Sequence, residues 1–479
     1  MINACESFYS KIHPPDKKAI VFFDGIKSLN HPEKSISFGE LIKLSITAQQ
    51  SLKKYDLKTG DYILIFEEPS VKLYATILAI MASGYKILLV EPWLSVAHIN
   101  KLIENCGPKI FISKKIGRFW GMRSKSIRKI KYKISTSEIC LSKNLNPESS
   151  AKIEIIKVAP NTEAMLTFTS GTSGTPKGVV RTHQYLIDAN DVVLKYLKYE
   201  NFPKMDLTIF TNLVLANLSA GKGSLIIPSS WQEKVLKQLD ELDEEHFVDT
   251  AACGPAFLKK LMSSSKCEHL KSIHVGGALT DCHIFEEAFK HWPNAHFDHV
   301  YGSSEAEPVA LSDAKIAVKK SRERGYFQTL YLGDQVPELD IEITPNQLWV
   351  KGRHVSKRYL HDEEANKKNK KEDSEKNIWH NMGDRVINSE GALWYQGRDF
   401  QSQEEFILEQ KIYQRLESSE AMVIKKNNEY YLIANPILKK KIAEVNLPEI
   451  KNIFYSTIFR DNRHRARIDR QKTLKKVNL

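Results

Sequence analysis

Residues 170–177 combine side chains and backbone groups that bind phosphate well. They read SGTSGTPK within the longer string LTFTSGTSGTPKGVVRTH, residues 166–183. Glycine leaves backbone N–H groups open to an anion, hydroxyls donate hydrogen bonds, and a lysine ammonium can reach terminal phosphates. The candidate phosphate-binding residues are Ser170, Gly171, Thr172, Ser173, Gly174, Thr175 and Lys177.

The spacing of this loop differs from that of a Walker P-loop. No Gly-Lys-Ser or Gly-Lys-Thr follows a glycine at the required offset, and the string GKGS at 221–224 fails the same test. Composition alone therefore leaves two interpretations open. The segment is either a loop that binds a phosphate chain or a surface loop rich in serine, threonine and glycine.

Four further segments follow this loop along the chain. In chain order they are VGGALT (275–280), YGSSEAEP (301–308), LWVKGRHVSKRYL (348–360) and WHNMGDRVINSEGALWYQGRD (379–399). A carboxylate such as Glu305 suits Mg²⁺, which prefers oxygen ligands, and Asp384 can accept from both hydroxyls of a diol. Taken singly, Glu305 could be a surface acid, Asp384 a turn residue and Tyr301 a core aromatic.

Taken in this order, the five segments resemble the signature elements of the adenylate-forming, or AMP-binding, superfamily. Its members include acyl-CoA synthetases, luciferases and the adenylation domains of peptide synthetases. The resemblance covers about residues 35–400 and implies that the 170–177 loop holds the β- and γ-phosphates of ATP. The other nucleotide-binding residues that it implies are Gly276, Gly277, Ala278, Tyr301, Gly302, Asp384 and Arg398.

The same resemblance implies a role for individual side chains. The ring of Tyr301 stacks on adenine, the hydroxyl of Ser304 contacts the α-phosphate, and Glu305 is the ligand of Mg²⁺. Asp384 accepts from both ribose hydroxyls, and Arg398 holds the ribose from the hinge before the C-terminal domain. ATP and Mg²⁺ are therefore the expected cofactors, with CoA as a candidate second substrate.

The resemblance implies an acid ligase that activates a carboxylic acid as acyl-AMP. Several strings are most similar to the β-lactone synthetases of bacterial olefin biosynthesis, a branch near the fatty-acyl-CoA ligases. They are MDLTIFTNLVLANLSAGKGSLIIP (205–228), YGSSEAEPVA (301–310), WHNMGD (379–384) with LWYQGR (393–398), and DNRHRARIDR (461–470). A fatty or β-hydroxy fatty acid is therefore the expected substrate. Acyl transfer to CoA and closure of a β-lactone both stay open as the second step.

The chain departs from the family pattern in two places. Near the C-terminus the family carries Gly-Lys-Ile, whose lysine bridges the carboxylate and the α-phosphate, but the aligned string here is RARID, with Arg467 at the lysine position. Guanidinium keeps the charge and changes the shape, because it is planar and forked. Residues 400–420, which follow the hinge, contain no glycine, so the usual CoA-lining loop is not matched.

The resemblance implies the catalytic residues, and the departures raise the main alternative. The expected catalytic residues are Lys177, Ser304, Glu305 and Arg467. The alternative is a nucleotide-binding homologue with weak or lost catalysis, because arginine replaces the lysine.

The acyl pocket is expected from residues 210–215, 252–258, 276–279 and 303–309. Leu213, Val214, Leu215 and Phe257 are apolar, which favours an aliphatic acid over an amino acid. Packing in the core is the other interpretation of Phe257 and of Leu258.

Helical and strand patterns alternate from about residue 38, which predicts an α/β fold with mainly parallel sheets flanked by helices. No glycine occurs from Arg398 to Leu479, and this tail has its own pattern of helix, hairpin, helix and strand. We therefore expect a large N-terminal domain over 1–397 and a small α+β lid domain over 398–479. The active site is expected in the cleft between these domains.

Composition limits the class of protein and its partners. The 479 residues are 42% hydrophobic and 27% charged with a net charge of +12, typical of a globular protein attracted to anions. Six scattered cysteines without a CxxC pair and an N-terminal stretch without a signal-peptide core favour a cytoplasmic protein. A small carboxylic acid is the expected partner, and no nucleic acid is expected. The oligomeric state is not predicted.

Two charged stretches stand outside the motifs. Residues 109–133 are dense in lysine and arginine, and a solvated surface is the favoured interpretation. Peripheral contact with an anionic membrane, or with an acidic partner, is the alternative. Residues 362–377 mix both signs without a large apolar residue, which predicts a solvated insertion outside the site.

Overall fold

The structure is a computed structural model of the 479-residue chain. It describes every residue except 12, 92, 116, 118–120, 122, 141–151, 170–175, 229, 346, 462–466 and 478–479. The chain forms two compact units. The first unit contains residues 1–249 and 353–372, and the second contains residues 250–352 and 373–479.

The first unit contains a six-stranded sheet that is parallel except for its last pair of strands. The strand order is Tyr132–Ile134, Ile110–Ile112, Tyr62–Ile65, Lys86–Leu89, Glu163–Thr169, Lys177–Thr182. Helices Phe38–Leu52, Val71–Ala82 and Val96–Cys106 alternate with these strands. Each begins after a serine whose hydroxyl accepts a hydrogen bond from the first turn. The predicted alternation is confirmed.

Four further strands of this unit are hydrogen-bonded in the order Ser35–Ser37, Lys18–Phe22, Ser224–Ile226 and Met205–Thr208. The core between the elements is apolar and fully buried at Phe38, Ile63 and Ala79. The remaining elements of the unit are helices Glu6–Tyr9, Lys125–Lys129, Thr136–Cys140, His183–Leu197, Leu213–Ala220, Glu233–Leu236 and Glu363–Asn369, 3-10 helices Ile26–Ser28, Tyr199–Asn201 and Lys237–Glu241, and strand Lys370–Glu372.

The second unit is built on a mixed sheet. Its strand order is Val248–Cys253, Ser272–Val275, His296–Ser303, Ala306–Asp313, Tyr331–Gln335, Ala392–Arg398 and Asp384–Ser389, and the first strand enters this unit at residue 250. The first three strands are parallel and the others antiparallel. Helices Pro255–Met262, Cys282–His291 and Ala314–Glu323 accompany the sheet, and an antiparallel sheet joins Leu339–Thr344, Gln347–Gly352 and Ile378–Asn381.

The C-terminal tail folds as the sequence predicts. Helix Gln403–Leu416 starts at a capping box made by Ser402 and Glu405. Strands Ala421–Lys426 and Glu429–Ala434 form the hairpin, and strand Ile450–Tyr455 joins it in parallel. The other elements of the tail are the 3-10 helix Pro436–Leu438 and helices Lys439–Glu444 and Arg470–Val477. The domain boundary at residue 397 stays a prediction.

The predicted insertion at 362–377 has more regular structure than its composition indicates. Helix Glu363–Asn369 is capped by the side chain of Asp362. Asn366 donates to the carbonyl of Tyr359 and accepts from its N–H, at 2.8 and 2.7 Å. These polar contacts replace the apolar packing that the sequence lacks. Among the described residues, none of the helices has the length and apolar composition needed to cross a bilayer.

Candidate functional site

The predicted ribose-binding pair lies on two adjacent strands of the second unit. Asp384 begins one strand, Arg398 ends the next, and the two are direct partners in the antiparallel register. Their side chains form an ion pair with 2.8 Å between Arg398 Nη1 and Asp384 Oδ1, and both are largely buried. The two residues are separated in the sequence, and the antiparallel pairing of their strands brings them into contact.

A third predicted residue, Tyr301, completes this cluster from another strand. Its hydroxyl donates to Asp384 Oδ2 at 2.7 Å. Burial, followed by the negative charge of Asp384, raises the pKa of Tyr301 well above its usual value. The hydroxyl therefore keeps its proton and remains a donor at neutral pH. The predicted stacking of the ring on adenine is a separate role that stays a prediction.

The electrostatics of the cluster keep Arg398 charged. Burial is the largest single effect and lowers the pKa of Arg398, but Asp384, Tyr395, Tyr301 and Asp399 together raise it above the usual arginine value. Asp384 Oδ1 is buried and accepts no hydrogen bond with good geometry from the described residues, although Arg398 lies close. A ligand hydroxyl could therefore donate to this oxygen.

Glycines let the backbone come close where the nucleotide is expected. At Gly302 a Cβ would lie 2.9 Å from the carbonyl oxygen of Ala306, so the turn of the hairpin excludes a side chain there. Gly277 has φ +84°, a conformation that favours glycine. It follows the strand that ends at Val275, and Gly276 and Ala278 lie in the same turn.

The predicted catalytic pair Ser304 and Glu305 forms the turn between strands His296–Ser303 and Ala306–Asp313. Glu305 is buried, and its N–H donates to Ser303 Oγ at 3.3 Å. Among the described residues, no cluster of three or more His, Cys, Asp or Glu side chains is arranged to hold a metal. Mg²⁺ is usually bound by one or two protein carboxylates together with phosphate oxygens of the substrate. The carboxylate of Glu305 therefore fits that ion.

Arg467 lies against the turn that contains Gly277. Its Nε donates to the carbonyl oxygen of Gly277 at 2.8 Å. Its own backbone is paired with Asp461: the N–H of Arg467 donates to Asp461 Oδ1, and the N–H of Asp461 donates to the carbonyl of Arg467, both at 2.9 Å. The guanidinium is thus held beside the predicted adenine-binding turn.

Two buried or half-buried ion pairs hold the ends of the segment that carries Arg467. Arg460 Nη2 lies 2.7 Å from Glu420 Oε1, and Arg470 Nη1 lies 2.9 Å from Glu409 Oε2. Sequence reasoning did not single out these residues or Asp461. The one signal present was the density of arginine and aspartate in the string DNRHRARIDR, which does not reveal the distant glutamates.

Lys177 belongs to the first unit. It begins the strand Lys177–Thr182, opposite Thr169 in the antiparallel register, and its ammonium lies 5.4 Å from the centre of the Tyr359 ring. Residues 358–360 pair with this strand through Leu360 N–H to the carbonyl of Gly178 at 2.9 Å. The predicted phosphate-binding residues Ser170, Gly171, Thr172, Ser173, Gly174 and Thr175 lie outside the described residues.

The residues expected in the acyl pocket are partly core residues. Val214, Phe257 and Leu258 have no exposed surface, whereas Leu213 and Leu215 are half-buried. Because Phe257 and Leu258 lie on the inner side of helix Pro255–Met262, core packing accounts for both of them. A pocket formed by these segments stays a prediction.

Comparison with known proteins gives one family and one fold. The family described as AMP-binding enzyme matches residues 10–360. The chain is 23% identical over 377 residues to nonribosomal peptide synthetase 30 of Fusarium vanettenii, covering 73% of this chain and 6% of that one. It is 23% identical over 370 residues to 4-coumarate–CoA ligase CCL1 of Humulus lupulus, covering 69% of this chain and 65% of that one.

The chain thus spans less than two thirds of the length of these relatives. Among solved structures, ATP-bound MatB from Rhodopseudomonas palustris superposes with a TM-score of 0.76 at 16% identity over 100% of both chains. At that identity the superposition shows the fold alone, which agrees with the predicted α/β class.

Proposed function

The chain belongs to the AMP-binding enzyme family, and we propose that it uses ATP to activate a carboxylic acid as an acyl-adenylate. The observation that carries the proposal is the cluster of Asp384, Arg398 and Tyr301. A buried carboxylate accepts from Tyr301 through Oδ2, and its Oδ1, which forms the ion pair with Arg398, accepts no hydrogen bond from the described residues. A carboxylate with unused accepting capacity is what a ribose hydroxyl requires.

The first step joins the acid to AMP. A carboxylate oxygen forms a bond to the α-phosphorus, and the bond from that phosphorus to the bridging oxygen of the β-phosphate breaks, so that pyrophosphate leaves. Lys177 stabilises the charge of the leaving phosphates, and Ser304 donates to the α-phosphate. Arg467 supplies the positive charge between the carboxylate and the α-phosphate. Such charge stabilisation and positioning lower the barrier.

Mg²⁺ is the ion that Glu305 would hold. When bound, the ion neutralises negative charge on the phosphate oxygens. The residues of the chain itself bind the nucleoside through Asp384 and Arg398 and orient the carboxylate through Arg467.

We propose a fatty or β-hydroxy fatty acid as the substrate. The support is the apolar character of Leu213 and Leu215 and the similarity of residues 461–470 to the β-lactone synthetases. With CoA, the thiol sulfur would attack the acyl carbon and expel AMP. In lactone closure, the β-hydroxyl oxygen attacks the same carbon, AMP leaves, and the hydroxyl proton passes to solvent.

A second candidate function is nucleotide binding without efficient catalysis. It is favoured by Arg467, because the forked guanidinium that replaces the family lysine already donates to the Gly277 carbonyl. The variant Arg467→Lys separates the two candidates. A large gain in adenylation rate supports the nucleotide-binding candidate, whereas an unchanged or lower rate supports arginine as the working residue. Arg467→Ala is the matched control, and it should lower the rate if arginine acts.

Exchange of labelled pyrophosphate into ATP tests the first step. Straight-chain fatty acids and β-hydroxy fatty acids of several lengths should be compared with amino acids. We expect exchange that depends on a fatty or β-hydroxy acid. Retained ATP binding without exchange for any acid would reject the proposal and leave nucleotide binding.

A further inference from the structure

Residues 109–133 are the most strongly basic part of the chain. They contain ten lysines and arginines and no aspartate or glutamate, against a net charge of +12 for the whole protein. The family-related motifs do not use them. Eight of these basic residues are described and exposed, and they are called the basic face: Lys114, Lys115, Arg123, Lys125, Arg128, Lys129, Lys131 and Lys133.

The local fold directs these charges outward. Helix Lys125–Lys129 buries Ser126 and Ile127 and is tied to helix Val96–Cys106 by a hydrogen bond of 3.0 Å from Ser126 Oγ to Glu104 Oε1. Its basic side chains therefore occupy the opposite, exposed side. The strand Tyr132–Ile134 is the edge strand of the six-stranded sheet, and its two lysine neighbours flank Tyr132.

The helix and the edge strand present one continuous surface. Lys133 Nζ donates to the carbonyls of Ile130 and Arg128 at 2.6 and 3.1 Å, where the helix ends. The ammonium of the strand residue thus lies against the last turn of the helix, which carries Arg128 and Lys129. The positive charges of the helix and of the strand therefore lie together at this edge of the sheet.

Half of the basic face lacks an acidic partner among the residues that the structure describes. Lys114 Nζ lies 3.8 Å from Glu68, but the two side chains are 56% and 84% exposed, so water screens the pair. Arg123, Lys125, Arg128 and Lys129 form no ion pair with any residue that the structure describes. These four residues therefore keep their positive charge at the surface.

We propose that the basic face binds the anionic surface of a lipid bilayer. Each lysine or arginine near such a surface contributes about fivefold to the partition coefficient. Tyr132 is half-buried and packs edge-on against Tyr55 with 4.9 Å between ring centres. The described part of the face therefore offers no exposed aromatic ring on which the bases of a single-stranded nucleic acid could stack.

The choice of a bilayer rests in one respect on the proposed function, since the apolar chain of a fatty-acid substrate partitions into membranes. A surface that holds the enzyme on a bilayer would shorten the path of such a substrate. The binding itself needs neither ATP nor an acid, so it can be measured independently of the reaction.

Co-sedimentation of the full chain with lipid vesicles tests the proposal. Vesicles of pure phosphatidylcholine are compared with vesicles of equal parts phosphatidylcholine and phosphatidylglycerol, without ATP or fatty acid. We expect binding to the anionic vesicles that weakens as salt rises. The double variant Arg128→Glu and Lys129→Glu should bind at least about thirtyfold more weakly.

The matched control is Lys367→Glu with Lys368→Glu. These lysines are also adjacent, exposed and in the last turn of a short helix, and the change in net charge is the same. The control should keep wild-type vesicle binding. If Arg128→Glu with Lys129→Glu fails to fold, as judged by thermal unfolding, Arg128→Gln with Lys129→Gln replaces it.

Three results would overturn the proposal. The first is equal binding to neutral and anionic vesicles, and the second is equal loss of binding in the two double variants. The third is binding to a generic DNA duplex, at the same salt, that is tighter than binding to the anionic vesicles. Absence of pyrophosphate exchange in a chain that still binds anionic vesicles would reject only the proposed reaction.

Discussion

The substitution Asp384→Asn examines the proposed ribose contact most closely. The carboxylate accepts from Tyr301 through Oδ2 and lies 2.8 Å from Arg398 through Oδ1. The amide keeps one acceptor oxygen, replaces the other by a donor and removes the charge. It therefore cannot accept from both hydroxyls of a ribose, and it leaves Arg398 without its ion-pair partner.

The expected loss follows from the charge of the acceptor. A hydrogen bond to a charged group contributes about 1.5–3 kcal/mol, and one of the two ribose bonds is lost. We therefore expect ATP to bind about 10- to 150-fold more weakly. The unfolding temperature should also fall, because removal of one partner from a largely buried ion pair is destabilising.

Calorimetric titration with ATP and with 2′-deoxyATP separates the ribose contact from general damage. Wild-type protein should prefer ATP, and Asp384→Asn should bind the two nucleotides almost equally. Asp340→Asn is the matched control, since it makes the same chemical change at a carboxylate that is 68% exposed. If Asp384→Asn keeps the full preference for ATP, Asp384 does not bind the ribose and this reasoning is wrong.

Three further predictions concern other contacts. Asp461→Ala should lower kcat of pyrophosphate exchange about fivefold without changing the unfolding temperature, because it removes the side-chain acceptor of the Arg467 N–H, and Asp461→Asn should restore the rate. Burial lowers the pKa of His183 to about 4. The free energy of unfolding should therefore fall by up to about 3 kcal/mol as pH drops from 6.5 to 4. Urea unfolding measures this change, and the fall should be smaller in the variant His183→Asn. Gly302→Ala should lower the unfolding temperature, since its Cβ would lie 2.9 Å from a backbone oxygen.

The sign of the His183 prediction follows from proton binding. The folded pKa is below the ordinary histidine value, so the unfolded chain binds more protons between the two values. Stability is complete above the unfolded pKa and is lost as pH falls towards the folded one. The N–H of Ala4 donates to His183 Nδ1 at 3.0 Å, a contact that requires this nitrogen to be unprotonated.

The local elements could be predicted from the sequence because their signals are local. Ser37 and Ser402 begin helices with a glutamate three residues later, and the hairpin at 421–434 shows its alternation directly. The helix in the insertion at 362–377 is harder to predict from the sequence, since it depends on the pairing of Asn366 with Tyr359 rather than on an apolar stripe.

Contacts between distant residues could not be predicted in the same way. Tyr301 and Asp384 are joined by a hydrogen bond across 83 positions, which no spacing rule reveals. The string GKGS, which fails the P-loop spacing, contains Lys222, whose ammonium is buried and lies 2.7 Å from Asp249 Oδ1. Its role in the fold is therefore a buried ion pair, and the sequence offered no sign of the partner.

Mass spectrometry of the products from ATP and a β-hydroxy fatty acid, with and without CoA, tests the central claim most directly. We expect AMP and pyrophosphate together with acyl-AMP, or with the thioester or β-lactone formed from it. The difference between the samples with and without CoA assigns the second step. Formation of ADP and phosphate without AMP, or unchanged ATP with every acid tested, would contradict the account.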